Sequence, residues 1–97
     1  MNYKVIIFSE AKLDVKETAN WYNDKQQGLG KRFITSVKNE ISIIRQNQFL
    51  YEIRYDDIRT ALIETFPYLI HFDIINHTVI IKAVYHTSRD SEIWIER

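Results

Sequence analysis

The 97-residue chain reads as one α+β domain, residues 1–97, with the element order β-α-α-β-β-β and a helical hairpin lying on a mostly antiparallel sheet. Three observations predict it. Apolar residues recur at helical spacing in two blocks of the first half, and the period then changes to that of strands. The two glycines of the chain, Gly28 and Gly30, stand together between the helical blocks. Near the C-terminus, Asn76-His77 separates two segments whose alternate residues are apolar, as in a two-residue hairpin.

The first element, Tyr3 to Phe8, is short, β-branched and apolar on both faces, which predicts a strand flanked by structure on both sides. Ser9 then offers a hydroxyl to the free amides of a helix start, and Glu10 suits the positive end of the helix dipole. Ala11, Val15, Ala19 and Tyr22 form the apolar stripe of this helix, which runs to about Gln27. Gly28 and Gly30 supply its C-cap and the turn into the next helix. From Leu29, the residues Phe33, Val37, Ile41 and Ile44 form a second stripe ending near Asn47, with Lys31, Lys38, Asn39 and Arg45 on the other side.

In the second half, Ile58 to Glu64 is a strand of open register, and Phe66-Pro67 interrupts the pattern because proline lacks a ladder donor. With Asn76-His77 as the turn, an unbroken ladder pairs Ile74 with Val79, Phe72 with Ile81, Ile70 with Ala83 and Tyr68 with Tyr85 on the core face. The other face then pairs Asp73 with Ile80, His71 with Lys82, Leu69 with Val84 and Pro67 with His86. Thr87 to Arg97 is polar apart from Ile93, Trp94 and Ile95, and reads as a short closing helix or an extended tail.

Composition narrows the function classes. Thirteen Lys+Arg balance thirteen Asp+Glu, so no long-range positive field draws the chain to nucleic acid or anionic lipid. There is no cysteine, which removes disulfides and thiolate metal sites. The short apolar stretches fall far below the about 20 residues of a membrane span, and no secretory signal is legible, so a cytoplasmic protein away from membranes is expected. Three histidines without partners at metal-ligand spacing argue against a metal site, and nothing calls for a cofactor.

The layout combines with Ala11-Lys12-Leu13-Asp14, Trp21-Tyr22, Gly28-Leu29-Gly30 before Arg32-Phe33, Ile58-Arg59 and Phe66-Pro67-Tyr68-Leu69-Ile70. It closes on Val84-Tyr85-His86-Thr87-Ser88-Arg89-Asp90 with Trp94 and Arg97. In these features the chain resembles the RelE/ParE toxins of type II toxin-antitoxin systems. The resemblance implies a RelE/ParE-like fold, a small toxin, and a cognate antitoxin whose C-terminal segment wraps over it. A homodimer or a toxin-antitoxin hetero-oligomer is compatible with it.

Two activities are implied within the family. RelE-like members cut mRNA on the ribosome, which needs a proton acceptor, a cation for the phosphorane charge and an acid for the leaving oxygen. ParE-like members inhibit DNA gyrase through protein contact. Where nuclease members commonly carry an arginine at the strand that here begins Pro67-Tyr68, this chain has Tyr68, facing the core in the unbroken register. The ParE-like reading is therefore preferred, and a ribosome-dependent endoribonuclease is the alternative. A non-toxic family member that only binds an antitoxin is the third.

Under the nuclease alternative, His86 transfers protons while Lys82, Arg59 and Arg89 contact phosphate. The competing reading of His86 is a strand-end histidine bonded to a backbone carbonyl. Partner-binding candidates are Arg59, His71, Lys82, His86, Arg89 and Trp94, with His71 and Lys82 forming a phosphate patch if they face each other. Arg54 and Arg59 beside Asp56-Asp57 also fit local ion pairing, and Ser88 or Asp90 also fits a helix cap. His77 reads as turn chemistry. Trp21, Tyr22 and Trp94 read as packing residues, with Trp94 also able to anchor a partner helix.

Overall fold

The computed structural model describes residues 3–89. Its elements are β1 (Lys4–Ile7), α1 (Ser9–Lys25), α2 (Leu29–Asn47), a short 3-10 helix (Gln48–Leu50), β2 (Ile53–Tyr55), β3 (Ile58–Leu62), β4 (Tyr68–Ile75) and β5 (Thr78–His86). The sheet order is β1-β5-β4-β3-β2, with β1 parallel to β5 and the other neighbours antiparallel. The α+β class and the helical hairpin on the sheet are as the sequence implies. The short strand β2 is an addition, too brief and too polar to show a period.

The strand β1 departs from expectation. It forms one edge of the sheet and is covered on one face only, so Ile6 is 51 % exposed. Ser9 does not cap α1 either. The chain passes from the ladder straight into the helix: the Phe8 amide bonds the Ile81 carbonyl at 2.9 Å, and the Phe8 carbonyl accepts from Lys12 at 3.0 Å. Phe8 therefore takes the cap position with extended backbone, and the Ser9 hydroxyl donates to Glu10 Oε1.

The helices close tightly because of the two glycines. Gly28 holds a left-handed φ of 86°, which ends the turn without steric cost. Gly30 has another role: a Cβ there would lie 2.2 Å from the Ala19 carbonyl oxygen, so the bare backbone is what lets α2 touch α1. The Gly30 amide also donates to Asn23 Oδ1 at 2.8 Å, across the junction. Ala11, Ala19, Phe33, Val37 and Ile44 come from the helices and meet Ala61, Ile70, Phe72, Val79, Ile81 and Val84 from the sheet in one core. Fully burying each large apolar side chain contributes about 1.5–3 kcal/mol.

The terminal hairpin starts in the expected register and then leaves it. Ile74 faces Val79, Asp73 faces Ile80 and Phe72 faces Ile81, after which Lys82 is an extra residue and His71 faces Ala83. Beyond this bulge Ile70 pairs with Val84, Leu69 with Tyr85 and Tyr68 with His86, correcting the pairs of an unbroken ladder. The bulge turns Val84 into the core under the helices and sends Tyr85 to the far face. Asn76 and His77 form the turn with φ of 49° and 60°, the positive values a two-residue hairpin needs.

Asp14 closes the edge of β5 that β1 leaves unpaired, its Oδ2 accepting from the Val84 amide at 3.0 Å. Ala11, fully buried, brings α1 near enough for that reach. The Ala-x-x-Asp segment is therefore a device for docking a helix on a sheet edge.

Candidate functional site

The bulge at Lys82 places His86 beside a hollow of the described surface. It moves His86 onto the helix side, opposite Tyr68, their ring centroids 5.1 Å apart. On α1 the residues Glu17, Thr18, Trp21 and Tyr22 lie at spacings that share one helical face. Together these six line an open cavity of ≈ 380 Å³. Trp21 is 53 % exposed, which corrects its reading as a packing residue. Tyr22 is held between environments: it meets Phe33 and Phe66 below and Trp21 and Tyr68 beside it. Burial, followed by the neighbouring Tyr68, raises its phenol above the ordinary value, so the hydroxyl stays neutral in the physiological range.

His86 is oriented by its own chain. Its Nδ1 accepts the Ser88 amide at 3.0 Å and lies 2.7 Å from the Ser88 hydroxyl. A backbone amide can only donate, so Nδ1 carries a lone pair and the neutral ring bears its proton on Nε2. Ser88 thus orients the imidazole. A general base in this tautomer would present no lone pair at Nε2.

The four residues named for phosphodiester chemistry, His86, Lys82, Arg59 and Arg89, do not converge. Lys82 does not line the His86 cavity, and its Nζ lies 6.0 Å from the Phe8 ring toward the β1 edge. Arg59 sits on β3, separated from β5 by β4, and its Nη1 donates to the Tyr51 carbonyl at 2.6 Å while the guanidinium lies over Phe49. This backbone anchor replaces the ion pairing expected with Asp56-Asp57, which form the β2–β3 turn.

His71 is fully buried on the far face and faces Ala83, so the expected His71–Lys82 phosphate patch is not formed. Its Nδ1 lies 3.0 Å from the Tyr55 hydroxyl and its ring is 5.1 Å from Tyr85. Burial, then Tyr85 and Asp56, push the Tyr55 phenol up to about 12. Arg89 stacks on Tyr85 with its guanidinium 4.3 Å from the ring centroid. Trp94 and Asp90 lie outside the described residues.

A second hollow, almost purely apolar and of ≈ 180 Å³, opens between the helix hairpin and the β1–β5 edge. Ile7, Val15, Ile34, Val37, Ile41 and Ile81 contribute to its walls, and Lys12 and Lys38 stand at its rim. Among the described residues no group of three or more His, Cys, Asp or Glu gathers to hold a metal. No helix among them is long and apolar enough to cross a membrane.

No family model and no curated protein matches the chain in sequence. Among solved structures, a chain from "Chromosomal ParDE TA system from P. aeruginosa" superposes with a TM-score of 0.77 at 12 % identity, over 87 % of this chain and 95 % of that one. At that identity the likeness is one of fold, and it bears out the RelE/ParE-like architecture expected from the residues.

Proposed function

We propose that this chain is the toxin of a type II toxin-antitoxin pair, inhibiting DNA gyrase by protein contact in the cytoplasm and neutralised by a cognate antitoxin. The observation that carries the reading is the near-complete overlap with a chain of a ParDE system, 87 % of this chain against 95 % of that one. The site geometry supports contact over phosphodiester chemistry. His86 shares its cavity with a carboxylate, Glu17, while Lys82 and Arg59 are placed elsewhere. Among the described residues the lining of that cavity holds no lysine or arginine, so it supplies no cation for the phosphorane charge that a nuclease must stabilise.

The apolar hollow beside the helix hairpin suits an antitoxin. An amphipathic helix with acidic residues flanking its apolar stripe would bury the stripe there and meet Lys12 and Lys38 at the rim. The outer edge of β2, which no other strand pairs among the described residues, offers a second, strand-like attachment.

The deciding experiment adds purified chain to a gyrase supercoiling reaction and, in parallel, induces it in cells whose translated messages are mapped for cleavage. Lost supercoiling with intact messages is the expected result. Codon-biased cuts abolished by His86→Ala would replace the reading with the endoribonuclease, and unaffected growth on induction would leave an antitoxin-binding module.

A further inference from the structure

We propose that the cavity between α1 and the end of the terminal hairpin is a binding site for an organic cation, of the guanidinium or ammonium type that an arginine or lysine side chain presents. The inference is independent of the gyrase reading, since it rests on the walls of the cavity alone. Trp21, Tyr22, Tyr68 and His86 follow one another around it, with centroid separations of 5.1, 6.3 and 5.1 Å. Their successive interplanar angles are 79°, 68° and 79°, so each ring stands nearly across the next. Rings so arranged form walls rather than a stack, and walls of this kind surround a cation with the negative faces of several π-systems.

The charge of the lining agrees. Glu17 is its charged member among the described residues, and Thr18 adds a hydroxyl. Anionic or phosphate ligands would meet a carboxylate and π faces, both repulsive, whereas a guanidinium would gain from each. His86 contributes its ring face, its Nδ1 being taken by the Ser88 amide. Trp21 already takes a cation within the chain: Lys25 Nζ lies 5.0 Å from the ring centroid, one helical turn along. The volume of ≈ 380 Å³ admits the planar head and part of the stem of an arginine, and the opening leaves the rest of a partner outside.

The test titrates the full chain with N-methylguanidinium and with uncharged N-methylurea of similar shape, following the Trp21 indole and His86 ring signals by NMR. Saturable shifts for the cation and none for the urea are expected, with Glu17→Gln and Trp21→Ala each weakening binding roughly threefold to tenfold. Both positions are exposed, so the variants are expected to fold, which the rest of the spectrum verifies. A blocked Ala-Arg-Ala peptide against putrescine then separates the sources: tighter peptide binding assigns a protein side chain, tighter diamine binding a free amine. Equal shifts from cation and urea, or cation binding unchanged in Glu17→Gln, would overturn the assignment.

Discussion

Replacing Gly30 by alanine places one methyl group at the closest approach of α1 and α2. The new Cβ would lie 2.2 Å from the Ala19 carbonyl oxygen and 2.8 Å from Asn23 Cγ, where ordinary contact begins at 3.4 Å. The Ala19 oxygen is backbone and cannot rotate away, so the helices must part by roughly 1 Å, a large displacement in an interior packed like a crystal. Overpacking of this kind costs about 1–3 kcal/mol, and a backbone neighbour places it at the upper end. Parting the helices also strains the 2.8 Å bond from the Gly30 amide to Asn23 Oδ1, worth about 1 kcal/mol. Alanine's better helix propensity returns at most about 1 kcal/mol. The net loss is about 3 kcal/mol, a drop of roughly 10–25 °C in Tm for a domain of this size. Urea and thermal unfolding followed by circular dichroism measure it, with Gly28→Asn as the comparison. No atom lies within 4 Å of a Cβ at Gly28, and asparagine tolerates its left-handed backbone, so that variant should lose less than about 1 kcal/mol. If Gly30→Ala proves no more harmful than Gly28→Asn, the close-approach argument is wrong.

Asp14→Ala removes the acceptor of the Val84 amide and should cost about 1–3 kcal/mol, with faster hydrogen exchange at that amide, while Asp14→Asn keeps most of the protection. Unchanged exchange at Val84 in the alanine variant would refute the edge-closing role. The raised phenols set the alkaline limit. Tyr55, pushed up to about 12 by burial and then by Tyr85 and Asp56, stays protonated in the fold after the unfolded chain has lost its proton near pH 10. Its contribution is therefore complete below about pH 10 and declines as the pH rises toward 12, and burial of Tyr22 and Tyr51 acts in the same direction. Tyr55→Phe should be less stable at pH 8, having lost the contact with His71, yet fall less between pH 8 and 10.5; urea midpoints falling equally in both proteins would count against this. Arg59→Ala should release the Tyr51 carbonyl at a cost of about 1.5–3 kcal/mol and raise hydrogen exchange in the segment leading to β2, whereas a purely surface role would leave that exchange unchanged.

Helix boundaries were the most legible part of the fold. The second stripe implied a helix from Leu29 to near Asn47, and α2 spans Leu29–Asn47, because a wide apolar face repeating over five turns has one stable solution. The hairpin turn was equally plain. The bulge was not legible: Ala83-Val84-Tyr85 is a run of three apolar residues, but so is Val79-Ile80-Ile81, which pairs without a break. Ala83, Val84 and Tyr85 are all buried, because Val84 faces the helices while Ala83 and Tyr85 pack beside His71 on the far face, so the run marks a strand covered on both faces and does not locate the bulge at Lys82. The candidate cavity escaped notice for a related reason. Glu17 and Trp21 lie one turn apart on a helix surface, and a tryptophan there reads as packing until its neighbours across space are known.

Local chemistry alone decided the two helices, the Gly28 turn, the positive-φ hairpin loop and the absence of cysteine chemistry, since each depends on residues near one another in the chain. What waited for the folded molecule were the relations between distant segments. They include β1 taking an edge, Asp14 reaching Val84, Arg59 bonding Tyr51, and one extra residue in β5 moving His86 across the sheet to face α1. The physical reason is that register and facing depend on how well a whole layer packs. A single inserted residue reverses every side chain beyond it without altering the local preference of any.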